Sequence, residues 1–185
     1  MTRLVLIRHG ETDWNVEGRY QGQADPPLNA RGLEQARRTA ESLRGVGLEV
    51  LYSSPLRRAA QTAAIIAETL GLEVRFEPRL MEIHLGVWQS RLTEAIRKAY
   101  PALFLQWGRD PWGTRIPEGE SLREVRARVY AAADEITARH AGQTIGLVSH
   151  RIPIALLKIR YQRLPPEQVR AIEIPNASWE VIPLA

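Results

Sequence analysis

The chain has 185 residues, 44% hydrophobic and 25% charged; at roughly 150 residues per domain this is one domain of globular composition, which excludes a disordered or fibrous chain. The net charge of +4 rests on guanidinium, since every basic residue except Lys98 and Lys158 is an arginine, and arginine suits bidentate recognition of phosphate or carboxylate, although an arginine-rich genome would give the same bias. Cysteine is absent, so a disulfide framework, a thiolate zinc site and a cysteine nucleophile are excluded together.

Residues 4–7 (Leu-Val-Leu-Ile) form an apolar run ending at Arg8-His9-Gly10, the pattern of a strand buried on both faces that stops at a glycine turn. The run is too short for a signal-peptide core, and no stretch approaches the ~18 apolar residues of a membrane helix, so a cytoplasmic protein without a membrane partner is expected. Asn29 is placed to cap a helix striped by Leu33, Ala36, Ala40 and Leu43. A strand over 49–53 runs into Ser54-Pro55, read as the cap and first residue of a helix striped by Leu56, Ala59, Ala63, Ala67 and Leu70. A weaker strand at 73–76 leads into 81–119, where Trp88, Trp107 and Trp112 alternate with prolines and no long periodicity survives. That stretch is expected to be an insertion lying over the sheet and the active site. Ser121 and Glu124 form a capping box for a helix carrying Leu122, Val125, Val129, Ala132 and Ile136, with His140 expected at the surface beyond it. A second strongly apolar strand, 145–148, ends at Ser149-His150, and weaker strands are expected at 171–174 and 178–182. Strands alternating with helices predict an α/β three-layer sandwich, a mostly parallel central sheet with helices on both faces, formed as a single domain over 1–185.

In such sheets ligands bind beyond the carboxyl ends of the strands. His9 and His150 directly follow the two most apolar strands, Arg8 and Gly10 flanking one and Ser149 and Arg151 the other. Tyr52-Ser53-Ser54-Pro55-Leu56-Arg57-Arg58 passes from strand to helix, which brings an arginine to a helix N-terminus on the same edge, where anions bind readily. One of Arg57 and Arg58 is expected to be a solvated charge.

These pieces, with others in order along the chain, resemble the histidine phosphatase superfamily, the phosphoglycerate-mutase-like enzymes. The likeness is carried by Leu6-Ile7-Arg8-His9-Gly10-Glu11-Thr12 with Trp14-Asn15, by Gly18-Arg19-Tyr20-Gln21-Gly22 and by Pro27-Leu28-Asn29. It continues in Tyr52-Ser53-Ser54-Pro55-Leu56 with Arg58-Ala59, in Glu82-Ile83 with Gly86 and Trp88, in Gly119-Glu120-Ser121-Leu122 and in Val148-Ser149-His150. The resemblance implies that His9 is the nucleophile that accepts the phosphoryl group, that Arg8, Arg58 and His150 neutralise its oxygens, and that Glu82 is the general acid and base. Asn15, Gln21 and Gly22 would complete the phosphate contacts. Neither a metal nor a cofactor is implied, because phosphoryl transfer among guanidinium groups is driven by positioning and charge stabilisation. Where the family often has glycine after the second histidine this chain has Arg151, which either faces the substrate or points away, and Trp88-Gln89-Ser90 replaces the common Trp-Glu-Gly. His84, beside the acid, is a further candidate for substrate contact.

The reading is therefore a metal-independent phosphomonoesterase acting on a small-molecule phosphate ester, with similarity to metal-independent phosphoserine phosphatases and a homodimer left open. A cofactor-dependent phosphoglycerate mutase is the alternative; mutases of this type resemble a longer chain with a shielding C-terminal tail, and an end at Ala185 favours the phosphatase. A nucleic-acid-binding module would need a basic stripe, whereas these arginines alternate with acids along every helix. A metal-dependent hydrolase using His9, Glu82 and His150 lacks any local ligand spacing, and a non-catalytic phosphate-binding module would not need every reactive position filled.

Overall fold

The computed structural model describes residues 1–184, and alternation along the first strand decides its layering. Leu4 and Leu6 join one apolar cluster, while Val5 and Ile7 join another on the opposite face. That strand, β1 (Arg3–Arg8), lies between β4 (Thr144–Ser149), to which it is parallel, and β5 (Trp179–Pro183), to which it is antiparallel. β2 (Val50–Ser53) pairs with the other side of β4, and β3 (Val74–Phe76) closes the far edge, so the five-stranded order is β3-β2-β4-β1-β5.

After a short α1 (Asp13–Glu17), the helices α2 (Ala30–Ser42) and α3 (Arg57–Leu70) cover the face of Val5 and Ile7 with Ala40, Ala59, Ala63 and Ile66. The opposite face is covered by α6 (Leu122–Arg139) and α7 (Arg151–Gln162). The expected insertion folds as two short helices, α4 (Thr93–Ala99) and α5 (Pro101–Arg109), around Trp88. That indole is fully buried, with Trp107 edge-on at 6.5 Å and Phe104 at 6.0 Å, so the stretch without periodicity is organised by an aromatic cluster and not by one helix.

Asn29 caps α2, its side chain accepting from Gly32 N–H at 2.8 Å, and the Ser121–Glu124 capping box is present at the start of α6. The cap expected at Ser54-Pro55 is not. The helix begins two residues later, at Arg57 behind Leu56, which has no side-chain cap bond; the Ser54 hydroxyl accepts from Leu56 N–H at 3.3 Å and faces His150 Nε2 at 2.8 Å, ahead of the helix. The strand expected at 171–174 is also absent: β5 already occupies that side of β1, and the segment follows a 3-10 turn at Pro166–Arg170 as irregular chain. His140 is buried, not superficial. It ends α6 beneath β2, its Nε2 accepting from Tyr52 Oη at 3.1 Å and Arg75 Nη1 at 3.2 Å, and its Nδ1 donating to Gln143 Oε1 at 2.9 Å.

Candidate active site

Parallel pairing of β1 with β4 sets Arg8 opposite Ser149, so the residues that follow, His9 and His150, emerge side by side; their rings are 5.2 Å apart and tilted by 54°. The His9 Nδ1 lies 2.7 Å from Gly10 O. A carbonyl only accepts, so Nδ1 carries the ring proton and Nε2 keeps its lone pair. Burial, then the charges of Arg58 and Arg8, hold His9 well below the ordinary histidine pKa and therefore neutral. His150 is likewise depressed, by burial first and Arg58 second. The Ser54 hydroxyl accepts from Leu56 N–H at 3.3 Å, and the acceptor for its own proton among the described residues is His150 Nε2 at 2.8 Å. The imidazole proton of His150 then sits on Nδ1, a buried atom with no partner in the protein.

Two guanidinium groups share this arrangement. Arg58, in the first turn of α3 and only 1% exposed, donates through Nη1 to Ala24 O at 2.8 Å and through Nη2 to Gly22 O at 2.7 Å. Arg8 donates through Nη1 to Ile174 O. In both, Nε is buried and unpartnered. Burial lowers each to about 10, which leaves both charged at neutral pH. Arg57, by contrast, is exposed. Gly22 can shape this wall only as glycine: its φ is +53°, and a Cβ would come within 2.5 Å of Gln89 Oε1.

Glu82 faces the same space. Its Oε1 accepts from Ile83 N–H at 2.8 Å and its Oε2 from Ile152 N–H at 3.4 Å, and burial raises its pKa against the opposing pull of those bonds and of Arg58 and Arg8. The chain beneath it is clamped by Arg128 of α6. That guanidinium donates to Arg79 O and Met81 O, both at 2.7 Å, to Glu82 O at 3.0 Å, and to both Glu120 oxygens at 2.8 and 2.9 Å.

A cavity of about 220 Å³ gathers Arg8, His9, Gln21, Gly22, Arg58, Glu82 and Arg151 on its wall, with His150 packed behind His9. Gln21 is oriented by Thr12 Oγ1, which donates to its Oε1 at 3.0 Å. Asn15 and His84 do not line the cavity. The Asn15 Oδ1 is engaged in capping α1, and His84 Nδ1 accepts from Gly86 N–H at 3.0 Å, bracing the turn below Glu82. Sequence reasoning missed Tyr20, Trp107 and Arg170, which also line the wall, beside the apolar Ile83, Leu85 and Ile152. Tyr20 stood inside a recognised motif and so had a signal; Trp107 and Arg170 are brought there only by the packing of α5 against the 3-10 turn. Among the described residues no group of three or more His, Cys, Asp or Glu side chains could hold a metal ion, and no helix is long and apolar enough to cross a membrane.

A mostly parallel α/β sheet with two histidines and two arginines converging at its carboxyl edge is the architecture of an enzyme that handles phosphoryl groups. The chain belongs to the histidine phosphatase superfamily, branch 1, whose family model matches residues 4–185, and it is an enzyme of that type. It is 40% identical over 182 residues to phosphoserine phosphatase 1 of Hydrogenobacter thermophilus, covering 98% of this chain and 86% of that one. It is 39% identical over 178 residues to a protein of Yersinia enterocolitica named probable phosphoglycerate mutase GpmB, covering 96% and 83%. Among solved structures, mycobacterial glucosyl-3-phosphoglycerate phosphatase in complex with VO3 superposes with a TM-score of 0.89 at 38% identity, covering 97% of this chain and 91% of that one.

Proposed function

We propose that residues 1–185 form one phosphatase domain, a metal-independent phosphomonoesterase that hydrolyses a small phosphorylated metabolite through a phosphohistidine on His9. The observation that carries this reading is the set of unpartnered buried polar atoms: Arg8 Nε, Arg58 Nε and His150 Nδ1 are three of the four such side-chain atoms among the described residues, and all three belong to His9 or its immediate neighbours. Leaving each unpaired costs about 1–3 kcal/mol, a cost that a phosphoryl group seated against His9 Nε2 would reverse by accepting from all of them.

In the first step the His9 Nε2 lone pair forms the P–N bond while the ester P–O bond breaks, and the leaving oxygen takes a proton from Glu82, whose raised pKa keeps that proton available. In the second step a water attacks phosphorus, its proton passes to the Glu82 carboxylate, the P–N bond breaks, and inorganic phosphate leaves His9 neutral. Arg8, Arg58 and His150 hold the equatorial oxygens throughout, the two guanidinium groups supplying the positive charge that a metal provides in other phosphoryl-transfer sites and the neutral His150 a hydrogen bond from Nδ1. The similarity to a probable phosphoglycerate mutase supports a second reading, in which an alcohol and not water takes the phosphoryl group.

The test is a screen of phosphomonoesters in excess chelator, with and without bisphosphoglycerate, using His9→Ala as control and alkaline trapping of labelled phosphoenzyme, whose P–N bond survives alkali and is lost in acid. Phosphate release that survives the chelator and is lost in His9→Ala is expected. Glu82→Gln should slow phosphoenzyme formation from alkyl esters by about 10² to 10⁴, and far less from aryl esters, whose leaving group needs no proton. Activity that vanishes on chelation, or persists in His9→Ala, overturns the mechanism; product that appears only with bisphosphoglycerate selects the mutase.

A further inference from the structure

Arg151 and Arg170 add two more guanidinium groups to the cavity, so that four arginines face one acidic side chain, Glu82. Arg151 opens α7 and donates through Nη2 to Arg170 O. Arg170 ends the 3-10 turn and donates through Nη1 to Trp107 O at 3.0 Å, its guanidinium stacked over the Trp107 ring at 5.7 Å. Each is thus tied back by one terminal nitrogen to a backbone carbonyl, and among the described residues its remaining nitrogens make no hydrogen bond. Among the described residues neither forms an ion pair, although arginines elsewhere, such as Arg79 and Arg128, are matched to carboxylates.

The charges do not balance for a simple ester. A phosphomonoester dianion matches Arg8 and Arg58, the pair adjoining His9, and nothing on the cavity wall neutralises Arg151 and Arg170. The rest of the wall includes the apolar side chains of Ile83, Leu85, Trp107 and Ile152 and adds no further charge. Tyr20, which also lines the cavity, feels the charges of both Arg170 and Arg151. Because both guanidiniums are already held by carbonyls and, for Arg170, by an aromatic face, little side-chain entropy remains to be lost when they close on an anion.

We infer that Arg151 and Arg170, with Tyr20, form a second anion subsite, and that the substrate is a short phosphomonoester carrying a second anionic group, a carboxylate or another phosphate, at its far end. This rests on the phosphomonoesterase reading, and it makes these residues determinants of specificity, distinct from the groups at the transferring phosphoryl.

The discriminating comparison is phosphoglycerate against glycerol phosphate, which differ by a carboxylate in place of a hydroxymethyl group, together with propanediol bisphosphate and O-phosphoserine. We expect kcat/KM for phosphoglycerate or for the bisphosphate to exceed that for glycerol phosphate by at least about tenfold, and Arg151→Gln and Arg170→Gln each to reduce that ratio about tenfold or more, given ~1.5–3 kcal/mol for a hydrogen bond to a charged group. The carboxylate and bisphosphate arms tell which anion is preferred. The same ligands are titrated calorimetrically into His9→Ala, a readout that does not need turnover, with circular dichroism as the check on folding. Equal kcat/KM and equal affinity for the charged and uncharged tails, or a ratio unmoved in both arginine variants, overturns the subsite while leaving the phosphatase reading intact. A protein that turns over none of these esters yet binds the doubly anionic ligands selectively, and loses that selectivity in Arg151→Gln, retains the subsite and overturns the phosphatase reading.

Discussion

Removing Arg128 tests whether Glu82 is held in place from below. Its side chain and that of Glu120 are only 18% and 23% exposed, and the guanidinium spans the carbonyls of residues 79, 81 and 82 as well as the Glu120 carboxylate. A surface ion pair is worth about 0.2–1 kcal/mol, whereas removing one partner of a buried pair costs about 3–5. With roughly a fifth of each side chain still reaching solvent, Arg128→Met should cost about 3 kcal/mol. For a chain of this size that lowers Tm by about 6–12 °C. Glu120 has other work, accepting from His84 N–H at 2.8 Å, so Glu120→Gln alone should also destabilise, and the double variant should be milder than the sum by about 1–2 kcal/mol. The activity readout separates positioning from mere stability: well below its Tm, Arg128→Met should slow phosphoenzyme formation from alkyl esters more than from aryl esters, as a displaced Glu82 would. Additive effects within about 0.5 kcal/mol, or equal loss on both ester types, would refute the clamp.

Two further outcomes follow from burial and backbone geometry. His9 and His150 have pKa values depressed well below 6.5, so their contribution to stability is fully present above that value and is lost as pH falls, because the unfolded chain takes up protons the folded one refuses; each adds a slope of up to about 1.4 kcal/mol per pH unit. Glu82, raised by burial, has the opposite sign and gains stability as pH falls. Urea unfolding between about pH 7 and pH 5 should therefore show a loss that steepens in Glu82→Gln and flattens in His150→Gln, and a pH-independent stability would contradict the depressed histidines. In a second pair of variants, Gly22→Ala meets both a φ of +53° and a contact of 2.5 Å, and should lose about tenfold or more in kcat/KM as it displaces the carbonyl that orients Arg58. Gly18→Ala at φ +68° has its nearest neighbour at 4.0 Å and should cost only about 1 kcal/mol of stability; equal kinetic loss in both variants would sink the argument.

The helices of this fold were legible where they carry a periodic apolar signal read against solvent. The stripes of α2, α3 and α6 show it; the strands ending at His9 and His150 were legible instead as short unbroken apolar runs closed by polar residues, and the helix starts by the capping side chains of Asn29 and Ser121. The helix α7 lacked that signal, because Ile152 through Leu157 are all buried and a helix covered on every side has no stripe to betray it. The segment 171–174 failed in the opposite sense: Ile172 and Ile174 alternate with exposed Ala171 and Glu173 as a strand would, yet extended chain becomes a strand only where an edge is open. The Ile174 carbonyl serves the Arg8 guanidinium instead. His9, Arg8, Arg58 and Glu82 were legible through motif order, while Arg170 lay in a stretch with no motif and reached the cavity by tertiary packing alone.

The choice of anchors explains why these arginines and not the others define a site. Arg8, Arg58, Arg151 and Arg170 are each held by main-chain carbonyls of Ile174, Gly22 and Ala24, Arg170 and Trp107. A carbonyl fixes a guanidinium without cancelling its charge, whereas a carboxylate does both, as at Arg79 between Glu77 and Glu135. The depression of Arg8 and Arg58 to about 10 measures the cost of that choice, and burial is its first cause in both. A fold selected only for stability would place an acid beside such groups. Here the one acid in the cavity, Glu82, is itself pushed toward its neutral form, so the positive field is left for a ligand to satisfy, and the energy withheld from folding becomes available to bind the phosphoryl group as its charge shifts during transfer.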